Sequence, residues 1–237
     1  MFMFSEQWKD FERPAKRGAK GWNKDFADGV SIFQRVDDGA RFSLTSNIIR
    51  AWQFELPLNR AMASGALRQA WESEPYLGGM RRGSFVSKFM HGEGDDMDEF
   101  AEDWGPSLMT PEEEEKFEAM EFPLTAYRGG TGSIDEVAQG ISWTLDLEIA
   151  KFYALDWPKR WGIEREPMIV SMQVECEDVA AFLVGRNESE LLVPYASLLR
   201  DAMTEVTDRV DVRLAGADPS GGADFPGGDC RHLPAAL

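Results

Sequence analysis

Cysteine and histidine are nearly missing from this sequence. Its 237 residues include two cysteines, Cys176 and Cys230, and two histidines, His91 and His232. Two cysteines are too few for a disulfide framework, lack the spacing of metal ligands, and fit a reducing cytoplasm. Neither histidine stands in a context typical of a catalytic base. The sequence therefore argues against a zinc site and against Ser-His or Cys-His nucleophiles, and we expect no metal.

Long apolar segments and phosphate-binding loops are also missing. Residues 1–17 contain no apolar core after a basic region, so we expect neither a signal peptide nor a membrane anchor. No run approaches the roughly 20 apolar residues of a membrane span, and no membrane partner is expected. The sequence has neither a GxxxxGK[ST] loop nor GxGxxG after a strand, which excludes the common nucleotide-binding loops.

Positive charge is scarce after the first 90 residues. The formal net charge is −17: residues 1–90 carry 14 Lys and Arg against 10 Asp and Glu, residues 91–120 carry 1 against 12, and residues 121–237 carry 10 against 20. Such a surface repels nucleic-acid phosphates, so we expect no nucleic-acid binding, and it would attract a basic protein acceptor. For most of these charges the simpler interpretation is that acidity keeps the protein in solution. The alternative is a non-catalytic inhibitor whose acidic surface mimics nucleic acid.

The hydrophobic pattern divides the chain into three regions of an α+β protein. Residues 1–120 form an N-terminal helical portion that ends in an acidic insertion at 91–120. Residues 121–214 form a β-rich core, and residues 215–237, rich in Gly and Pro, form a disordered tail. The acidic insertion, with its run of four glutamates at 112–115, is interpreted as solvated surface. The alternative is a docking surface for a basic target or a gate over the cleft.

Apolar residues three and four apart predict two helices in the N-terminal portion, from about Thr45 and from Leu58, with Trp52 and Trp71 in the core. Ser46 or Asn47 is the expected N-cap of the first helix, and Thr110 before Pro111 predicts a third helix start. Two short strands are predicted at 30–33 and 41–44. In the β-rich core we predict a helix at 147–155, a short helical turn at 196–202, and strands at 124–127, 140–144, 168–174, 179–184, 190–193 and 210–214.

Polar residues stand at the ends of three of these strand-like runs. They are Arg128, the pair Ser142 and Thr144, and the pair Glu188 and Glu190. Because side chains alternate along a strand, the members of each pair are expected to share a face. Polar groups at such positions cost desolvation unless they are paired or used, so we expect one cleft that holds them all. The structural alternatives are a salt-bridge arginine, helix-capping hydroxyls and a solvated hairpin tip.

The order of these motifs resembles the R–S–E signature of mono-ADP-ribosyltransferases of the arginine-directed, toxin-like class. That family has an arginine at the end of a strand, S-x-[ST] before a helix, and E-x-E before a further strand. The counterparts here are Tyr127-Arg128-Gly129, Ser142-Trp143-Thr144 and Glu188-Ser189-Glu190. The resemblance covers residues 122–195, about a third of the chain.

The resemblance implies a split β-sheet core and transfer of ADP-ribose from NAD⁺ to a protein acceptor, with arginine favoured. It implies a phage or bacterial effector that acts in the cytoplasm of a bacterium or host cell. NAD⁺ is a substrate in this reaction, and hydrolysis of NAD⁺ without an acceptor is a further alternative. The loop at 184–188 is short and lacks an aromatic residue, which departs from the acceptor-binding loop of the family. The identity of the acceptor therefore stays open. The sequence also leaves the oligomeric state open.

Individual roles also follow from the resemblance. Glu190 stabilises the positive charge on the ribose, Glu188 orients or deprotonates the acceptor, and Ser142 holds Glu190, which makes these three the catalytic set. The residues implied in NAD⁺ binding are Arg128, Gly129, Ser142, Thr144 and Tyr153.

Overall fold

The computed structural model describes residues 8–12, 19–53, 56–73, 76–77, 80–81, 107–185, 188–194 and 196–207. In these residues a group of helices precedes an antiparallel sheet, which confirms the predicted α+β class. The predicted strand at 210–214, the tail at 215–237 and residues 91–106 of the acidic insertion lie outside the described residues. The same is true of both histidines and of Cys230.

Four helices form the first part of the fold. They are α1 (Trp8–Phe11), α2 (Ala19–Arg35), α3 (Asp38–Gln53) and α4 (Arg60–Ser73). The strands predicted at 30–33 and 41–44 are wrong, because both segments lie inside helices. Leu44, Ile48 and Trp52 are buried four residues apart, so the helical period extends upstream of Thr45. For the same reason α3 begins at Asp38, and neither Ser46 nor Asn47 caps it.

A six-stranded antiparallel sheet forms the second part, in the order β6-β7-β4-β3-β5-β8, and a short hairpin of β1 (Tyr76–Leu77) and β2 (Met80–Arg81) precedes it. The six strands are β3 (Leu124–Thr131), β4 (Ser142–Thr144), β5 (Pro167–Val174), β6 (Ala181–Leu183), β7 (Glu190–Leu192) and β8 (Thr204–Glu205). The five strands predicted between 124 and 193 are present with ends shifted by a few residues. Arg128 was expected at the end of a strand, but β3 continues past it to Thr131.

Helical segments connect the strands. They are α5 (Pro111–Glu118), α6 (Ile134–Ala138), α7 (Leu147–Lys151), a π-helical turn (Phe152–Asp156), α8 (Trp157–Arg160), and 3₁₀ turns at Cys176–Asp178 and Ala196–Ala202. The predicted cap at Thr110 is confirmed: its hydroxyl accepts from the Glu113 amide, and the Glu113 carboxylate accepts from the Thr110 amide at 2.8 Å. The helix predicted at 147–155 is interrupted by the π-helical turn and continues to Arg160.

The helices and the sheet share a hydrophobic core. Ala181, Leu183 and Leu192 pack in one cluster with residues of α3 and α4, including the buried Trp52 and Trp71 that the sequence predicted. The residues that alternate with these along the strands, among them Phe182 and Leu191, point to the other face and pack in a second cluster with Trp143. The predicted boundary near residue 120 stays a prediction. Among the described helices, none is both long and apolar enough to cross a membrane.

Candidate functional site

Three adjacent strands bring Arg128, Ser142 and Glu190 together. Strand β4 lies between β3 and β7, and Thr144 of β4 is opposite Glu190 of β7. The Ser142 hydroxyl donates to Glu190 Oε1 at 2.5 Å, and Arg128 Nη1 donates to the Ser142 carbonyl. Ser142 and Glu190 are diagonal neighbours on one face of the ladder, which explains how their side chains meet.

The Arg128 guanidinium has a close-fitting place in this site. Burial lowers the pKa of Arg128, an effect that nearby Glu190 opposes, and the group remains charged in proteins. Arg128 Nε is buried and has no hydrogen-bond partner among the described residues. Gly140 makes room for the group, because a Cβ there would lie 1.9 Å from Arg128 Cζ. Gly140 was not predicted as part of the site, since a lone glycine before a strand carries no specific signal.

Thr144 and Gly129 make contacts that position elements of the site. Thr144 is buried, and its hydroxyl accepts from the Asp146 amide at 3.1 Å. Asp146 in turn accepts from the Glu148 amide at 2.8 Å and caps α7. A Cβ on Gly129 would lie 1.7 Å from the Ala150 carbonyl oxygen, so β3 and α7 are in backbone contact here. The structure thus gives both residues a part in seating α7 on the sheet.

Glu188 and Glu190 have different side-chain partners. Glu188 lies two residues before Glu190, the first residue of β7, so a shared face for the two carboxylates stays a prediction. The Glu188 amide donates to the Gly185 carbonyl at 3.0 Å, and the Leu145 amide donates to the Ser189 carbonyl at 3.1 Å. The Tyr153 hydroxyl donates to Glu188 Oε1 at 2.9 Å. Tyr153, expected to bind NAD⁺, therefore contacts the glutamate expected to face the acceptor.

The sequence did not predict the buried ion pair that joins α4 to α5. Arg68 of α4 donates to both carboxylate oxygens of Glu113, with Nη2–Oε1 at 2.9 Å and Nη1–Oε2 at 3.2 Å. Glu113 Oε1 also accepts, at 2.5 Å, from the amide of Val184, the residue directly after β6. Glu113 was interpreted as part of a solvated run, but it is 5% exposed. The pair ties α4 and α5 to the segment that leads to Glu188.

Metal-binding clusters and known relatives give no further guidance. In the part of the chain that the structure describes, no three His, Cys, Asp or Glu side chains are grouped so as to hold a metal ion. Comparison of the chain with protein-family models, with curated proteins and with solved structures finds no match. The interpretation of the site therefore depends on the contacts of Arg128, Ser142, Glu188 and Glu190.

Proposed function

We propose that this chain transfers ADP-ribose from NAD⁺ to an arginine of a protein acceptor, on an α+β core of ADP-ribosyltransferase type. The observation that carries the proposal is the contact of Ser142 with both Arg128 and Glu190 on three adjacent strands. The order of the motifs in the sequence suggested the family, and that resemblance implied that these three residues would lie together. A phage or bacterial effector that acts inside a bacterial or host cell is the setting we propose.

The residues of the site fit NAD⁺ as a substrate. The planar, permanently charged guanidinium of Arg128 suits ribose and pyrophosphate oxygens. Its buried Nε–H has no partner among the described residues, and such an unpaired donor costs about 1–3 kcal/mol. The contact of Arg128 with Ser142, which itself binds Glu190, supports a binding role for this cation.

Glu190 is the group we assign to the ribose. NAD⁺ supplies the ADP-ribosyl group, and positive charge develops on its ribose as the bond to nicotinamide breaks, as in glycoside hydrolysis. A carboxylate fixed in advance stabilises such charge without reorganising during the reaction. The hydrogen bond from Ser142 fixes Glu190 in this way.

Glu188 is the group we assign to the acceptor. In the transfer, the bond between ribose C1′ and nicotinamide breaks, with its electron pair leaving on nicotinamide. A bond forms between C1′ and an arginine nitrogen, and Glu188 takes the proton that this nitrogen loses. The hydrogen bond from Tyr153 holds the Glu188 carboxylate for this step.

The test is incorporation of labelled ADP-ribose from NAD⁺ into proteins of a bacterial lysate. We expect label on discrete bands with the wild type and a loss of at least about 100-fold with Glu190→Gln, because the variant keeps the shape but not the charge. Glu205→Gln, an exposed glutamate on the outer strand β8, is the matched control and should retain activity.

Nicotinamide release measured without a protein acceptor separates transfer from hydrolysis. Release that does not increase when the lysate is added would favour NAD⁺ hydrolysis as the activity. Folded wild-type protein that yields neither label nor nicotinamide would overturn the enzymatic proposal and favour an acidic binding protein.

A further inference from the structure

A row of aromatic rings begins at the acceptor glutamate and ends in solvent. Tyr153, whose hydroxyl binds Glu188, lies 6.0 Å from Trp157 between ring centroids, and Trp157 lies 5.7 Å from Trp161. These three residues are four apart in sequence and so follow one side of the helical segment. Tyr153 and Trp157 are partly buried, whereas Trp161 is 47% exposed. We define Tyr153, Trp157 and Trp161 as the aromatic row.

The exposed end of the aromatic row is an apolar surface without an evident structural role. An aromatic cluster can stabilise a helix by burial, but nearly half of the Trp161 surface stays in water. Ile163, two residues further along the chain, is also 44% exposed. Exposed apolar patches of this kind mark interaction sites, and tryptophan and tyrosine carry much of the energy at protein interfaces.

The chemistry of the row suits a guanidinium. Aromatic faces attract cations, and arginine is the cation that most often stacks on them. The chain already contains such a contact, because Arg160 Cζ lies 5.1 Å from the ring centroid of Phe152. The ring centroids of Phe152 and Tyr153 are in turn 5.3 Å apart. The Glu188 carboxylate at the inner end of the row adds attraction for positive charge.

We propose that the aromatic row is the docking surface for an arginine-bearing segment of the protein acceptor. Arginine side chains of that segment stack on Trp161 and Trp157, and the target arginine reaches Glu188 beside Tyr153. This inference rests on the proposed transferase activity, to which it adds the substrate class: acceptors whose target arginine has further arginines nearby.

The first test uses Trp161→Ala in the transfer reaction, with Phe42→Ala as the matched control. Phe42 is 58% exposed on α3 and is not part of the row. We expect Trp161→Ala to raise the KM for the acceptor about 3- to 30-fold, the range that loss of a cation–π contact allows. The rate of nicotinamide release without acceptor should not change, and Phe42→Ala should change neither quantity. An unchanged acceptor KM in Trp161→Ala would overturn the proposal.

The second test does not depend on catalysis. Calorimetry would compare binding of an arginine–glycine repeat peptide with that of the matching lysine–glycine peptide. We expect tighter binding of the arginine peptide to the wild type and to Phe42→Ala, and a reduced preference in Trp161→Ala. An equal preference for the arginine peptide in all three proteins would overturn the proposed docking surface even if the enzyme is active. A preference that depends on Trp161, in a protein that does not cleave NAD⁺, would instead reject the transferase and retain the surface.

Discussion

Ser142 links the cation and the carboxylate of the site, because its carbonyl accepts from Arg128 and its hydroxyl donates to Glu190. The sequence could predict the identity of these residues, since the motif order is visible in it. It could not predict that Arg128 lies within a strand. That position depends on how far the ladder with β5 extends, which is a property of paired strands.

Gly140 gives a prediction at the residue scale. Gly140→Ala would place a Cβ 1.9 Å from Arg128 Cζ and 2.1 Å from Nη2, so the guanidinium must move out of its present place. We expect the KM for NAD⁺ in nicotinamide release to rise at least about 10-fold, which corresponds to the loss of one charged hydrogen bond. Steady-state kinetics measures this.

The control for that substitution is Gly39→Ala in α3. A Cβ there meets only the Asp37 carboxylate, at 3.4 Å, so NAD⁺ kinetics should be unchanged. A Gly140→Ala variant with wild-type KM would show that Arg128 can leave its place without harm to substrate binding.

At the scale of elements, the π-helical turn is the feature that the sequence did not reveal. A period of 3.6 residues predicts a continuous helix through 147–155, whereas the Trp157 amide donates to the Phe152 carbonyl five residues earlier. The extra residue rotates the positions that follow, and it does so next to the Tyr153–Glu188 contact. The helical period from Ile48 to Trp52 was in contrast readable, but its extension upstream through Leu44 to Asp38 was not.

The Arg68–Glu113 pair gives a prediction at the same scale. Glu113→Ala would leave Arg68 buried without its main partner and would also remove the acceptor of the Val184 and Thr110 amides. Breaking a buried pair costs about 3–5 kcal/mol in the free energy of unfolding, measurable by urea denaturation. Glu112→Ala, one residue away and exposed, should cost less than about 0.5 kcal/mol. Equal losses in the two variants would refute a structural role for the pair.

At the scale of the whole molecule, the helices and the sheet depend on contacts between residues distant in the sequence. The cluster that joins Leu67 and Trp71 to Leu183 and Leu192 pairs apolar residues that any helix and any strand could contain. No local pattern specifies such partners, which is why an α+β class could be predicted and the shared core could not.

The net charge of −17 gives a prediction for the whole molecule. Self-repulsion among exposed carboxylates destabilises the folded state, and salt screens it over about 10 Å at ~0.1 M. We therefore expect the thermal unfolding temperature at neutral pH to rise as NaCl is added to a low-salt buffer. The difference between wild type and Glu113→Ala should stay constant, because buried pairs are screened little. A fall in unfolding temperature with salt would indicate that surface ion pairs outweigh repulsion.

The site draws on two parts of the chain, the strands β3, β4 and β7 and the connection at 152–163. This division has a consequence for how the sequence could change during evolution. Arg128, Ser142 and Glu190 are fixed by the strand ladder, whereas the aromatic row lies entirely in the connection after β4. Insertions or exchanges in that connection would leave the ladder in register. Under the proposed docking role, exchanges limited to Trp157 and Trp161 could therefore change the acceptor while Tyr153 and the backbone contact of Gly129 with Ala150 are kept.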